Sequence, residues 1–248
     1  MTRFTLDTIA IIRTCFPQKF AIPRQPSLAP SAKGVIILEP DYSDPQAING
    51  LEQVSHLWLT FIFHQHSDQA AKLQVRPPRL GGNKKLGVFA TRSSFRPNYL
   101  GLSVVKLDEI KIINQRVHLL VSGVDMVDGT PVVDIKPYLP YVDTIAATNA
   151  IAQQPPTRLS VIITEAAQVL LQRHPHSNYL RQLIVDVLAQ DPRPAYHPVD
   201  THRNYQALLL DVDVCWVYEN LNGEIVIKVI DVRPWEDADA GLPGLLFL

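Results

Sequence analysis

The sequence predicts a mainly β protein in two parts, a small β-barrel followed by a smaller α+β domain. Three observations carry this. Up to residue 143 the chain is a series of short apolar and β-branched runs separated by polar loops and turns, with almost no helical periodicity. Residues 144–156 then become rich in Ala, Gln and Pro, the composition of a linker. Beyond them Leu180, Leu183, Ile184, Val187 and Leu188 fall at the i, i+3, i+4, i+7, i+8 spacing of one helix face, and two strand-like runs meet at Asn222-Gly223, a strong hairpin signal. The expected division is a barrel over residues 1–143, a linker over 144–156, an α+β domain over 157–235 and a tail over 236–248.

Residues 4–14 mix β-branched and apolar side chains as a first strand does, and stop at Phe16-Pro17. In the loop that follows, Pro23 and Pro26 bracket Arg24 and Gln25 and limit its freedom. Residues 35–38 read as a short buried strand; residues 54–63 read as a longer one, too aromatic and β-branched for a helix. That strand runs into His64-Gln65-His66, one histidine pair with no Cys or carboxylate at ligand spacing, so no metal is expected.

Residues 76–103 hold most of the functional signal. Arg76, Arg79, Lys84, Lys85, Arg92 and Arg96 supply six cations, and no Asp or Glu occurs between Asp68 and Asp108. Pro77-Pro78 fixes φ and Gly81-Gly82 lets the backbone turn, so residues 76–85 predict a shaped loop. Residues 86–91 read as a buried strand, and residues 92–98 as a second polar loop carrying two guanidinium forks suited to phosphate or carboxylate. Two rigid basic loops flanking a strand predict an anion-binding surface.

Strands follow at residues 102–107 and 116–124, with residues 110–113 a candidate third and Asn114-Gln115 the turn. The segment 125–131 reads as a tight polar turn, because Asp128-Gly129 favours φ > 0. On an extended run over 132–138 the period of two puts Asp134, Lys136 and Tyr138 on one face. In the second part, residues 158–164 predict a strand, 165–173 a helix, and 208–218 and 224–232 two hairpin strands, while residues 190–196 end the helical stripe.

Composition narrows the function. A net charge of −1 confines any nucleic-acid partner to one face, and Cys15 with Cys215 make no disulfide framework, which points to a reducing, cytoplasmic setting. The first 16 residues lack the apolar core of a signal peptide, and no stretch is long and apolar enough to span a bilayer. The glycine-rich fingerprints of dinucleotide and P-loop sites are absent, as is the nucleophile elbow of hydrolases. The polar loops around Arg24, His64, Arg92 and Asp128 can converge at one barrel mouth, and an anion-binding β-barrel is as far as spacing leads.

In combination, the segments FAIPRQP, GLEQVSHLWLTFIFHQ, VRPPRLGG, GVFATRSSFRPN, GLS and VDGTPVVDIKPYLPYVD resemble the TrmO family of S-adenosylmethionine-dependent tRNA methyltransferases over residues 4–143. The stretch LAQDPRPAY, with the strands after it, is similar to the extra C-terminal domain of bacterial members. The resemblance implies a non-Rossmann barrel and a homodimer. It also implies methyl transfer to N6 of threonylcarbamoyladenosine, beside the anticodon of threonine tRNA. For the cofactor pocket it implies Pro23, Arg24, Gln25, His64, Gln65, Arg92, Leu102, Asp128, Gly129, Thr130 and Pro131. One position departs: where the family commonly has Pro after Arg-Pro-Asn, this chain has Tyr99.

The acceptor of such a reaction is a ureido N–H with a delocalised lone pair, so removal of its proton by a positioned group helps. Asp134 and Tyr138 are the candidates on this strand, with Lys136 as an electrostatic aid, and Arg76, Arg79, Lys84, Lys85 and Arg96 are the candidate RNA contacts. A non-catalytic RNA-binding barrel and a small-molecule methyltransferase of the same fold are the competing readings.

Overall fold

The computed structural model describes residues 2–77, 84–152, 155–193 and 197–236. Arg79, the Gly81-Gly82 turn, the end of the LAQDPRPAY stretch and the apolar tail lie outside the described residues. Six antiparallel strands close a barrel in the order β1-β2-β7-β6-β3-β8. They are β1 (Ala10–Thr14), β2 (Lys33–Leu38), β3 (His56–Ile62), β6 (Leu100–Ile113), β7 (Arg116–Ser122) and β8 (Thr130–Pro137). Alternation sets their faces: on β3, Leu57, Leu59 and Phe61 point into the barrel, while Trp58 and Thr60 are only half-buried. Ile12, Ile36, Val105, Leu119 and Val132 complete the interior, each such side chain contributing roughly 1.5–3 kcal/mol by its burial.

Several expected strands are redrawn. The first is confined to β1, with residues 4–9 outside it. Residues 102–107 and 110–113 belong to one strand, β6, which pairs with β3 up to Lys106 and with β7 from Lys106 on, the latter register shifting between Leu107 and Glu109. Residues 86–91 are not a buried strand. Only β5 (Leu86–Gly87) is extended, paired with β4 (Gln74–Val75), and a 3₁₀ turn follows with Val88 buried but Phe89 77% exposed. The apolar run was too short to separate a strand from a turn with one anchoring side chain.

A short helix, α1 (Pro140–Asp143), ends the barrel region, and Asp143 accepts a hydrogen bond from the Trp58 indole N–H at 2.9 Å. The second unit is a four-stranded sheet in the order β10-β11-β12-β9, with β9 (Ser160–Ile163) parallel to its neighbour. Helix α2 (Glu165–Gln172) starts at Thr164, whose hydroxyl accepts from the Ala167 N–H at 3.3 Å. Helix α3 (Ser177–Leu188) buries all five residues of its stripe. The expected strand over 208–218 is two, β10 (Tyr205–Leu209) and β11 (Val212–Leu221), turned at Leu210 with φ 57°. No Gly or Asn marks that turn. Strand β12 (Glu224–Pro234) follows through Asn222-Gly223, both at positive φ.

The two units meet over the loop between β1 and β2. Phe20 stacks on Trp216 with centroids 6.1 Å apart, the Leu210 N–H donates to the Cys15 carbonyl at 2.9 Å, and Arg158 donates to both Asp186 and the Leu28 carbonyl. The Arg24-Gln25 loop is thus held from behind by the second unit. Cys15 and Cys215 are free thiols, and burial pushes Cys15 up to about 12, leaving it an inert core residue.

Candidate active site

The end of the barrel bearing loops 15–32, 63–73, 88–99 and 123–129 opens into connected hollows. The largest, about 710 Å³, lies over the outer face of β3 and β6. Trp58, Thr60, Leu100 and Leu102 form its floor, and Arg24, Gln25, Phe89, Arg92, Arg96 and Asn98 its rim. A smaller one, about 180 Å³, is enclosed by Lys19, Ile22, His64, Gln65, His66, Ser94, Met126 and Thr130. Phe61, Phe63 and Asp125 wall both. Phe61 and Phe63 meet edge to face at 5.2 Å, and Phe61 lies so close over Gly101 that a Cβ there would stand 2.3 Å from its ring. Only glycine fits beneath it.

A third hollow, about 460 Å³, runs from Lys19, Pro23, Arg24 and Arg92 to Gln190, Asp191 and Pro192 of the second unit. Arg24 reaches across it to the Arg193 carbonyl at 3.3 Å. A fourth, about 660 Å³, is a basic trough lined by Arg24, Lys72, Arg76, Lys85 and Arg92, with no carboxylate in its lining. Lys72 is seated over the Phe95 ring, 4.0 Å from its centroid.

Ten of the eleven residues implied for the cofactor pocket divide between this surface and its supports. Arg24, Gln25, Arg92 and Leu102 line the large hollow, His64, Gln65 and Thr130 the small one, and Pro23 the third. Arg92 donates to the Gln25 side-chain oxygen while the Gln25 amide donates to the Arg24 carbonyl, so these heads are prearranged by each other. Gly129 supplies the positive φ of 75° in the turn, and Pro131 pairs with Ile11 in the barrel wall. The Nδ1 of His64 is buried with no partner, and burial, helped by the charge of Lys19, holds this imidazole below the usual histidine range.

The eleventh, Asp128, faces the other way. Arg13 clamps it at 2.9 Å and 3.1 Å through Nε and at 2.9 Å through Nη2, and the Thr14 N–H donates to it at 2.8 Å. The carboxylate that does face the hollows is Asp125. Its Oδ1 is hidden from solvent without a partner, and burial raises its pKa to about 6 against hydrogen bonds to the carboxyl from the Ser103 side chain and its own backbone and against the charge of Arg92. Sequence reading passed over it as a turn residue. Both stand in one Asp-Met-Val-Asp segment, and irregular backbone has no period that says which one points outward.

Asp134 and Lys136 pair with each other on the outside of β8, opposite Thr60 and Trp58 respectively, one strand away from the floor of the large hollow. The Tyr138 hydroxyl lies 3.0 Å from that of Thr144, and its ring 6.0 Å from Trp58. Among the candidate RNA contacts, Arg76 and Lys85 line the trough, Arg96 lines the large hollow and donates to the Thr91 carbonyl at 3.2 Å, and Lys84 is exposed beside them. No group of three or more His, Cys, Asp or Glu able to hold a metal occurs among the described residues.

Known proteins share both units. Residues 11–144 match the family model described as the tRNA-methyltransferase O N-terminal domain, and residues 156–234 match that of the TrmO C-terminal domain. The chain belongs to the TrmO family. A Pseudomonas aeruginosa relative named as a candidate S-adenosylmethionine-dependent methyltransferase, RcsF, is 49% identical over 92% of this chain and 97% of its own. The tRNA (adenine(37)-N6)-methyltransferase of Escherichia coli is 44% identical over 87% of this chain and 94% of its own. A crystal structure of TrmO from P. aeruginosa superimposes with a TM-score of 0.77 at 42% identity, over 94% of this chain and 98% of that one. Within this TrmO fold, Lys19, Phe61, Phe63, Ser94 and Asp125 are among the hollow-lining residues that sequence reading left without a place in the site.

Proposed function

We propose that this chain methylates N6 of adenine 37 in tRNA, using S-adenosylmethionine, and that the adenine it acts on carries a threonylcarbamoyl group in threonine-accepting tRNA. The observation that carries the reading is the meeting of a small hollow and a large one at a shared wall, ringed by Arg24, Arg92 and Lys19. An elongated donor with a carboxylate at one end suits this set: cations and backbone donors for the carboxylate, aromatic and aliphatic walls for the rest. When bound, S-adenosylmethionine supplies a methyl group made electrophilic by a positively charged sulfur.

The chain's own residues then position and exclude. Arg24, Gln25 and Arg92 form one hydrogen-bonded head group that orients a ligand's anionic end; Phe61 and Phe63 keep water from the shared wall. Asp128, Gly129 and Pro131 act from behind, by fixing the turn that presents Asp125 and Thr130. The acceptor base lies over Trp58, Thr60 and Leu102, where Arg96 can meet the carboxylate of a threonyl group. Asp134 and Tyr138 flank that floor as acceptors of the N–H proton, and Lys136 is paired with Asp134. The trough through Arg76 and Lys85, with Lys84 next to it, takes backbone phosphates of the anticodon arm. We further propose a cytoplasmic homodimer, the state expected from the family resemblance.

Incubating the purified chain with labelled S-adenosylmethionine and threonine tRNA, with and without the threonylcarbamoyl group, tests the reading. Nucleoside mass spectrometry should place one added methyl on the carbamoylated base alone. Label on the unmodified adenine would remove the substrate assignment; RNA binding with no transfer to any tRNA would favour the non-catalytic barrel. Light scattering of the same sample checks the dimer.

A further inference from the structure

Within the proposed reading, Asp125 occupies a place that the positioning of a donor does not by itself explain. Among the described residues it is the only acidic one lining the small hollow and the large one, and it stands on the wall they share. Every other charged side chain around these spaces is cationic or a histidine: Lys19, His64 and His66 on one side, Arg24, Arg92 and Arg96 on the other. The Oδ1 of Asp125 is shielded from water and has no hydrogen-bond partner. A hidden, unpaired carboxylate oxygen costs stability unless something else compensates it. Its neighbour Asp128, three residues on, shows what compensation looks like in this turn, with an arginine and a backbone N–H both engaged.

A methyl donor of the sulfonium class carries its permanent positive charge in the middle, between an adenosine and an amino-acid end. Were its ends held in the two hollows, the middle would fall at the wall they share, formed by Phe61, Phe63 and Asp125. The cations lining the rest of the surface repel that charge and suit the donor's carboxylate instead. We infer that the Asp125 carboxylate is the counter-ion of the donor's sulfonium and makes the site prefer the charged donor to the neutral thioether product. The inference rests on the S-adenosylmethionine reading. It concerns which ligand is held, and leaves the acceptor's proton to other groups.

Comparing the two ligands isolates the charge, because S-adenosylmethionine and S-adenosylhomocysteine share the amino group, carboxylate and adenosine and differ at sulfur. By titration calorimetry at pH 7.5, Asp125→Asn should lose roughly tenfold or more in affinity for S-adenosylmethionine and less than about twofold for S-adenosylhomocysteine. The sign with pH follows from the raised carboxyl. Below about 6 it is protonated and neutral, so in the wild-type protein the preference for the charged ligand should shrink as pH falls through that value. His64 and His66 face the small hollow and gain charge on acidification. The Asp125→Asn ratio, measured over the same pH range, gives their share.

Equal losses for both ligands in Asp125→Asn, or a wild-type preference unchanged between pH 7.5 and 5, would overturn the inference while leaving the donor site standing. The wild-type arm needs no substitution and so decides the matter even if the variant fails to fold. A wild-type chain that binds neither ligand overturns the donor reading and the inference with it.

Discussion

Two carboxylates three residues apart in the turn before β8 have opposite fates. Asp128 is closed in by Arg13 and the Thr14 N–H and ties the turn to β1. Asp125 leaves its Oδ1 unpartnered on the wall of two hollows. The same contrast runs through the whole barrel mouth. The side toward β1 holds the Arg13–Asp128–Thr14 cluster and serves stability, whereas the side toward β3 and β6 ends in Arg24, Arg92, His64 and Asp125, which line space a ligand can fill. Residues implied for one pocket by resemblance therefore separate into those that hold the turn and those that line the hollows.

The largest effect should come from breaking the paired side. Asp128→Ala strands the Arg13 guanidinium, 22% exposed, and removes the acceptor of the Thr14 N–H, and should cost about 3 kcal/mol in urea unfolding. If the variant instead keeps full stability and loses only donor affinity, the division proposed for this turn is wrong. Next, Arg92→Ala works on the open side. Losing one charge-assisted contact should weaken S-adenosylmethionine by about 2 kcal/mol in calorimetry, with an unfolding midpoint within error of the wild type. A variant that unfolds early would make Arg92 part of the scaffold.

Most of the barrel was legible because aromatic and β-branched content and Pro, Gly and Asn punctuation are local signals: β3 lies within the run too aromatic and β-branched for a helix, and the Asn114-Gln115 and Asn222-Gly223 turns fall where expected, with Asn114, Asn222 and Gly223 at the positive φ their residue types favour. What escaped was whatever local chemistry does not encode. Leu210 adopts φ 57° although leucine gains nothing from it, because the turn it makes packs against the Cys15 carbonyl from a distant part of the chain. Residues 86–91 have the apolar content of a strand, but only Val88 finds a core to enter. The site was legible as a set of loops through resemblance, while the direction of Asp125 against Asp128 depends on a partner, Arg13, more than a hundred residues away.

The loop that carries Arg92 and Arg96 invites a sharper test of how its open side is held. Asn98 and Tyr99 both have positive φ, 64° and 54°, and Tyr99 donates to the Gln69 carbonyl at 2.6 Å through its hydroxyl and to the Arg96 carbonyl at 3.2 Å through its N–H. Proline, common here in the family, is locked near −65° and lacks the N–H. Tyr99→Pro should thus destabilise this chain by roughly 1–2 kcal/mol rather than bring it closer to its relatives. A neutral or stabilising result would mean that the loop readily takes the other backbone path.

The smallest effect belongs to Lys84 and Lys85, at the outer edge of the open side. Lys85 lines the basic trough with Arg76 and Lys72, Lys84 is exposed next to it, and neither reaches the hollows assigned to the donor and the acceptor base. A lysine on such a surface gives an RNA phosphate a point charge and displaces a counter-ion, an interaction that shows in salt dependence more than in affinity at any one salt. Replacing both by alanine should lower the magnitude of the slope of log K against log salt for tRNA by roughly 1–2 units while calorimetry with S-adenosylmethionine stays unchanged. Arg92→Ala should do the reverse, weakening the donor and leaving most of the slope in place. An unchanged slope with weakened donor binding in the double variant would show that the trough and the donor hollow are one site, and the open side of the mouth could no longer be divided between cofactor and RNA.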